Sequence, residues 1–293
     1  MGDAEGVDDL EASCEIARRG GGPEYLRATG NLASILVCEG QLLRASELHR
    51  EALAIAREIG YEEPTRWLST EIAIDSEVGG AWDEARAMVD ELIPGYAESP
   101  FWTEPQTRVC RARMAIAEGN VALAVADADR AVELVREGRS FQSLCDPVAF
   151  RARLHAELRE FDAARPLVRE LLETWSETRS GYLDQWVLEA WYAAWRTGDE
   201  ARLGAAIDSM PPNAWLGAAA SMIERDFPGA VAELDAIGAA SCAALAGLWA
   251  SEWLVEQGRA ADAPFLERSL AFWRSVRASA YAHRGESLLA AAS

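Results

Sequence analysis

Apolar and polar positions follow one another along this chain with the 3.6-residue period of amphipathic helices. No stretch sustains the period of two that is typical of a strand. Clusters of glycine and proline at 20–23, 94–105 and 211–213 fall between the helical stretches, where they indicate loops. The pattern predicts about 15 to 16 helices and no sheet, which is an all-α fold.

A longer period is superimposed on the helical one. The segment 31–53, NLASILVCEGQLLRASELHREAL, reads as a helix rich in small residues, a glycine turn and a helix centred on alanine. The same order recurs down the chain, which indicates a repeat protein. Successive turns are 40, 39, 40, 39, 27 and 33 residues apart, and the predicted turn residues are Gly40, Gly80, Gly119, Arg159, Gly198, Arg225 and Gly258.

Small residues occupy two fixed offsets from these turns. Two helices joined by a short turn approach closely only where their facing side chains are small, so the offsets predict helical hairpins. Trp191 and Leu203 are large exceptions in the unit where the repeat shortens. They predict that this hairpin is splayed, or has slipped in register so that Ala190 or Ala194 makes the close contact, at a seam between a regular and an irregular array. Seven positions before the turns stand Ala33, Ala73, Ala112, Ala152, Trp191, Ala218 and Ser251, and five positions after them stand Ala45, Ala85, Ala124, Ala164, Leu203, Ala230 and Ala263.

This pattern resembles the tetratricopeptide repeat, which has a small residue in its first helix, glycine at the turn and alanines at two places in its second helix. The resemblance implies a single domain over residues 1–293, built as a right-handed α-solenoid of about seven antiparallel helical hairpins. The implied parts are a half-repeat at 1–22, regular repeats at 23–197, shorter irregular repeats at 198–275 and a capping helix at 276–293. The first full repeat shows the pattern at Leu32, Ala33, Leu36, Gly40, Ala45 and Ala52.

The C-terminal segment 265–293 resembles the end of the helical-repeat region in certain actinobacterial regulators. Those proteins also carry a class III adenylate/guanylate cyclase domain and an AAA-type ATPase domain. The resemblance implies that catalytic domains lie upstream of Met1 and that this chain is the non-catalytic part of a larger signalling protein. The upstream domains are then candidate partners.

The formal net charge is −20, and every basic residue is an arginine. Such a chain repels polyanions, so nucleic acid is not an expected partner. Residues 1–100 hold 21 acids and 8 arginines, a net charge of −13, which favours a protein or peptide partner that is neutral or basic towards this third. Without lysine the chain cannot form a Walker A loop, a Schiff base or a kinase-type active site.

The hydropathy of the chain and its few histidines and cysteines argue against a membrane span, a metal site and disulfide bonds. The longest uncharged run, 236–251, has 16 residues and is too short to span a membrane, and no basic, apolar leader is found, so a cytoplasmic location is expected. His49, His155 and His283 lack metal-ligand spacing, so neither a metal nor a cofactor is expected. The cysteines form no C-x-x-C pair and predict reduced core residues at Cys14, Cys38, Cys110, Cys145 and Cys242.

The triplet RAR occurs at 111–113 and again at 151–153. In the tetratricopeptide register Arg113 and Arg153 fall on the concave face, one above the other, where forked hydrogen bonds suit a peptide carboxylate. The alternative is that both arginines pair with the chain's own acids. The lysine/asparagine clamp of some family members is absent, because the matching positions carry Gly30, Ser34, Thr70 and Ile74.

The stretch WVLEAWYAAW at 186–195 is apolar over most of the helical circumference, as is typical of a helix packed on more than one side. By register, Trp186 and Trp191 belong to the core. Tyr192 and Trp195 approach the groove, and exposed aromatic residues on a concave surface often anchor a partner.

No set of residues has the spacing of a catalytic centre. We expect a non-catalytic interaction and regulatory module that binds a protein or peptide segment in its concave groove. The alternative is a self-standing sensor that binds a peptide or small ligand in the same groove. An enzyme would need a pocket that joins Arg113, Arg153 and an acid with a strongly displaced pKa. The candidate partner-binding residues are Arg113, Arg153, Tyr192, Trp195, Trp67 and Arg27.

Overall fold

The chain folds into helices joined by short loops. A computed structural model describes residues 4–20, 22–138, 143–178, 182–259 and 265–291, and within these ranges it has 16 helices and no strand. The prediction of an all-α fold is confirmed. The helices are α1 (Ala4–Gly20), α2 (Pro23–Cys38), α3 (Leu42–Glu58), α4 (Glu62–Gly79), α5 (Trp82–Glu98), α6 (Glu104–Glu118), α7 (Val121–Gly138), α8 (Cys145–Glu157), α9 (Phe161–Thr178), α10 (Trp186–Thr197), α11 (Glu200–Asp208), α12 (Ala214–Glu224), α13 (Phe227–Ile237), α14 (Ala240–Glu256), α15 (Leu266–Ser275) and α16 (Ser279–Ala291).

The seven predicted turn residues follow the even-numbered helices from α2 to α14, and all share one backbone conformation. Each has a positive φ, between 61° and 96°, including Arg159 and Arg225. The backbone N–H of the residue after each turn donates to the carbonyl oxygen five positions earlier, over 2.7 to 2.9 Å. This Schellman motif ends a helix and reverses the chain. The predicted turn positions are confirmed as helix ends.

Every described residue at the two small-residue offsets is buried, with 0% of its surface exposed. Trp191 and Leu203, the large exceptions, are buried in the same way. Ala263 lies outside the described residues. The three helices directly after α10 are shorter, since α11, α12 and α13 have 9, 11 and 11 residues while α2 to α7 have 15 to 18. The change in repeat length at this point of the sequence is therefore a change in helix length.

The helices pack mainly against their neighbours in the chain. The even-numbered helices from α4 to α12 also pack against one another, each on the next even-numbered helix. They therefore share one layer, and we call the face of this layer that turns towards α14 and α16 the inner face.

The C-terminal helices return to the N-terminal part of the chain and cover this inner face. Helix α14 packs against α4 and α10, and α16 packs against α6 and α14. The indole N–H of Trp215 donates to the carbonyl oxygen of Val37 over 2.8 Å, and that of Trp82 donates to Ser241 Oγ over 2.9 Å. At Gly80 an added Cβ would lie 2.8 Å from the Phe272 ring, so α15 lies directly on that turn.

The accessible surface agrees with this closed arrangement. The chain exposes 12884 Å², and a globular monomer of its mass, 31.9 kDa, exposes about 12,200 Å². An open row of helices would expose a larger area because its inner face would remain in contact with water. The inner face is therefore largely internal.

Arg159 gives a direct test of the turn geometry. It has a φ of 61° at a position where five of the other six turns carry glycine. A non-glycine residue in this conformation costs about 1 kcal/mol, so we expect Arg159→Gly to raise the free energy of unfolding by roughly that amount. Arg159→Ala keeps the Cβ and is the matched control, for which we expect almost no gain. Equal stability of the two variants in urea denaturation would contradict the strained turn.

Candidate functional site

Arg113 and Arg153, predicted to line an open groove, lie instead inside the protein. They are 4% and 2% exposed, and both bind Glu189 of α10. Arg113 donates through Nε over 2.9 Å and through Nη2 over 2.7 Å, and Arg153 donates through Nη1 over 2.7 Å. Arg113 also binds Asp146, and Arg153 binds Glu157. The structure therefore realises the alternative in which these arginines pair with the chain's own acids.

Because Arg113, Arg153 and Glu189 are buried, their pairing affects the stability of the protein. Two guanidinium groups and a carboxylate that lie out of contact with water have lost their hydration, which only close mutual contacts offset. Glu189 is 2% exposed and is the one charged residue in the stretch WVLEAWYAAW. A lone acid in an apolar stretch was the sequence signal for this role.

Tyr192 is also internal, which corrects its place among the partner-binding candidates. Its ring stacks on Trp249 with 4.5 Å between centroids, and its hydroxyl accepts a hydrogen bond from Arg284 over 3.1 Å. Helix α16, which carries Arg284, covers the position that would otherwise face a groove. Trp195 is half-buried and stacks on Trp191 with 5.4 Å between centroids. The core assignment of Trp186 and Trp191 is confirmed.

A small internal space joins Arg113, Arg153 and Glu77, which is the combination that an enzyme would need. Burial raises the pKa of Glu77 to about 7, and the charge of Arg113 opposes part of that rise. The space has a volume of only about 20 Å³, enough for one water molecule. It is too small for a substrate, so this combination does not support a catalytic site.

A much larger cleft opens on the N-terminal side of the same network, with a volume of about 600 Å³. Helices α2 and α4 form one wall. The opposite wall consists of α6 and the segments that lead into α8 and α10. We call it the inner cleft. Of the four positions compared with the family's clamp, Ser34 and Ile74 line the inner cleft, and Gly30 and Thr70 are not among its lining residues. The lining residues used below are Trp67, Glu71, Asp75, Trp102, Gln106, Arg113, Asp146 and Asp184.

Two tryptophans stand together on the wall of the inner cleft. The rings of Trp67 and Trp102 lie 6.3 Å apart between centroids, inclined by 42°. The Trp67 indole donates to Glu71 Oε1 over 2.9 Å, and its ring packs onto Gly30, where a Cβ would overlap it. Trp102 is 54% exposed. Sequence reasoning selected Trp67 but missed Trp102, which lies in the loop before α6.

Arg27, the remaining candidate, is exposed on α2 and lies outside the residues that line the inner cleft. The six sequence candidates therefore divide into three groups. Arg113, Arg153 and Tyr192 are buried by the chain itself, Trp195 is half-buried against Trp191, and Arg27 lies on the outer surface. Trp67 is the candidate that combines a cleft position with access to a ligand.

Carboxyl groups lie on both walls of the inner cleft. Burial raises the pKa of Asp184 to about 8, and the nearby Asp146 raises it further. Burial also raises the pKa of Asp146, against the opposing charge of Arg113. On the opposite wall, burial raises the pKa of Glu71. Each of these groups is held in a place that disfavours its charged form.

Asp75, on the same wall as Glu71, has a partner of its own. Its Oδ2 lies 2.8 Å from Nδ1 of the buried His49. Burial opposes protonation of the imidazole, but the hydrogen bond to Asp75 outweighs it, so the pKa of His49 is raised. His49 is therefore a structural imidazole paired with an acid inside the fold.

The cysteines are free thiols, and four of them are buried as predicted, with Cys14 partly exposed. Burial raises the pKa of both Cys38 and Cys145 to about 12, which leaves these thiols unreactive at neutral pH. Within the described ranges, no group of three or more His, Cys, Asp and Glu side chains has a geometry suited to a metal ion. None of the described helices is both long and apolar enough to cross a bilayer.

Comparison with known protein-family models and with curated proteins finds no match to this chain.

Proposed function

We propose that this chain is a non-catalytic binding module of the tetratricopeptide type, and that it takes a peptide segment of a partner protein into the inner cleft. The repeated Schellman turns and the two buried small-residue offsets support a solenoid of about seven hairpins with a half-repeat before it and a capping helix after it. The resemblance of residues 265–293 to the tail of cyclase–ATPase regulators supports a regulatory role in signalling.

The inner cleft is the observation that carries the proposal. At about 600 Å³ it has the volume of a typical ligand site, and it mixes aromatic rings with a few polar groups, as such sites do. Trp102 exposes more than half of its surface beside Trp67, although tryptophan is usually well buried. An exposed indole next to a cleft is a common anchor for a partner.

The charge of this region sets the character of the partner. Acids outnumber arginines by 13 in residues 1–100, which supply the α2 and α4 wall. Arg113 is the one arginine among the cleft-lining residues, and it already binds Glu189 and Asp146. The peptide segment is therefore neutral or basic rather than acidic.

We expect Trp102→Ala to remove most of the binding detected on a peptide array, while leaving the fold intact because the side chain is exposed. Gly30→Ala is a second variant, since its methyl group displaces the Trp67 ring from the cleft wall. Tyr61→Ala is the matched control, an exposed aromatic residue that does not line the cleft. Retention of all binding in both cleft variants would show that partners bind elsewhere.

A further inference from the structure

The charged groups among the described residues that line the inner cleft are mostly carboxyl groups, which accept hydrogen bonds. Four carboxyl groups and one guanidinium line it, and the guanidinium of Arg113 is already bound to Glu189 and Asp146. Asp184 accepts a hydrogen bond from the Trp186 backbone N–H over 2.9 Å, which caps α10. Neither Asp184 nor Glu71 forms an ion pair with an arginine in the described part of the chain. The cleft therefore has unneutralised acids.

Gln106 adds an independent observation. Its Oε1 lies at the inner cleft, is shielded from solvent and has no hydrogen-bond donor among the described residues. Buried side-chain oxygens almost always have a donor, so Gln106 Oε1 is an unsatisfied acceptor at the wall of the inner cleft. Like the carboxyl groups of the inner cleft, Gln106 Oε1 therefore suits a ligand that donates hydrogen bonds.

The two indoles offer a third kind of contact to a cation. Trp67 and Trp102 lie on the same cleft as Glu71, and the ring faces of tryptophan attract guanidinium and ammonium groups at distances within about 6 Å. Carboxylates that neutralise the charge and aromatic faces that replace its hydration are the usual components of a site for an organic cation. A neutral apolar ligand would leave Glu71 and Asp184 desolvated without compensation.

Within the proposed peptide-binding function, on which this step rests, we propose that the inner cleft binds an organic cation, such as an arginine side chain, between the Trp67–Trp102 pair and the carboxyl groups of Glu71 and Asp184. The N–H groups of the cation donate to these acids and to Gln106. The same chemistry is found in a free alkylguanidine, so the source of the cation is decided by experiment.

Protonation agrees with this arrangement. Burial raises the pKa values of Asp184 and Glu71, and the nearby charges of Arg113 and His49 offset only part of that rise, so a bound cation lowers them and displaces protons. The charged groups around Asp184 are Asp146, Arg113 and Glu189, and Glu71 faces Asp75 and His49. Binding of a cation is therefore expected to tighten as the pH rises from 6 to 9.

Calorimetric titration of the full chain with matched probes tests the inference. The probes are a short blocked peptide with a central arginine, the same peptide with citrulline, which is its uncharged isostere, and agmatine as a free guanidine. We expect the arginine peptide to bind at least tenfold more tightly than the citrulline peptide. Comparable affinity for agmatine would identify the free guanidine as a sufficient ligand, and preference for the peptide would identify a protein segment.

Isosteric variants locate the cation. We expect Asp184→Asn and Glu71→Gln each to weaken the arginine peptide about tenfold, and Asp208→Asn, an exposed acid away from the cleft, to leave its affinity unchanged. Asparagine keeps the acceptor that caps α10, so the fold is preserved. Trp102→Ala should also weaken binding of the arginine peptide, although this substitution leaves the net charge of the protein unchanged.

The outcomes separate this inference from the proposed function. Equal affinity for the arginine and citrulline peptides, or unchanged affinity in Asp184→Asn and Glu71→Gln, would overturn the cation site. If peptides then bind in a manner that depends on Trp102, the cleft keeps its proposed function with a neutral ligand. If no peptide on the array depends on Trp102, the proposed function fails as well.

Discussion

Replacement of Glu189 by alanine is expected to lower the free energy of unfolding by about 3–5 kcal/mol, because it leaves the buried guanidinium groups of Arg113 and Arg153 without their shared carboxylate. The thermal midpoint should fall by roughly 5 to 8 °C. Urea and thermal denaturation, followed by circular dichroism, measure both quantities. Glu189→Gln should lie between the parent and the alanine variant, since it keeps the hydrogen-bond acceptor but not the charge.

Glu170→Ala is the control for this experiment. Glu170 also binds one arginine, Arg136, through both carboxylate oxygens, but this pair lies on the surface, where solvent weakens it. Its loss is expected to cost less than about 1 kcal/mol. If Glu189→Ala costs no more than Glu170→Ala, the two buried arginines do not depend on Glu189, and the internal network has no special role in stability.

The stability of the protein is expected to decrease as the pH rises from 5 to 8. Burial raises the pKa of Glu77 to about 7 and that of Asp184 to about 8, well above the values near 4 of the unfolded chain. Between the two limits the folded protein holds a proton that the unfolded chain has released. The stabilisation from each carboxyl group is complete below the pKa it has in the unfolded chain. It is lost as the pH rises towards and through the pKa of the same group in the folded protein, at up to about 1.4 kcal/mol per pH unit for each group.

The other shifted groups do not reverse this trend. The pKa of His49 is also raised, by its hydrogen bond to Asp75 against the effect of burial, so its proton too is lost from the folded state at higher pH. Although burial acts to raise it, the pKa of Glu157 is lowered on balance by Arg153 and Arg284, and its contribution is lost only at acid pH, below the window considered. We expect a total fall of roughly 2 kcal/mol or more between pH 5 and pH 8.

Urea denaturation at intervals of one pH unit measures the slope. Asp184→Asn and Glu77→Gln should each flatten it, because an amide does not titrate, while Asp208→Asn should leave it unchanged. A free energy of unfolding that stays constant or rises over this window would show that the two carboxyl groups are ionised in the folded protein.

The sequence was sufficient to predict the local structure. Glycine or arginine at the turns, together with small residues at two offsets, predicted the seven helix ends and the buried columns. These features depend on residues close to one another in the chain, such as the backbone bond from Gln41 to Leu36. The core positions of Trp186 and Trp191 followed from the helical wheel for the same reason.

The inner face could not be predicted in this way. Its closure depends on contacts between distant segments, such as the Trp215 indole on the Val37 carbonyl, 178 positions apart, and Tyr281 on Arg153, 128 positions apart. Small differences in the angle between successive helices accumulate along the chain, and they decide whether its distant segments meet. The register of one repeat therefore placed Arg113 and Arg153 on the inner face but could not show that other helices cover it.

The inner cleft was predicted only in part. Trp67 was a candidate from the sequence, and it lies on α4 and lines the inner cleft. Trp102 and Asp184 lie in the loops before α6 and α10, where the helical period gives no direction to a side chain. The cluster of glycine and proline at 94–105 predicted a loop, but α5 continues through Pro94 to Glu98 and α6 begins at Glu104, so the loop is only 99–103. The folded structure is needed to show that this loop brings Trp102 beside Trp67.

Small-angle X-ray scattering on the purified chain tests most directly whether the C-terminal helices close the inner face and leave only the inner cleft for a ligand. A compact domain of 293 residues has a radius of gyration of about 19 Å, and we expect this value with a symmetric pair-distance distribution. A clearly larger radius, with a distribution extended towards long distances, would mean that α14 and α16 leave α4 and α6. Arg113 and Arg153 would then face an open groove.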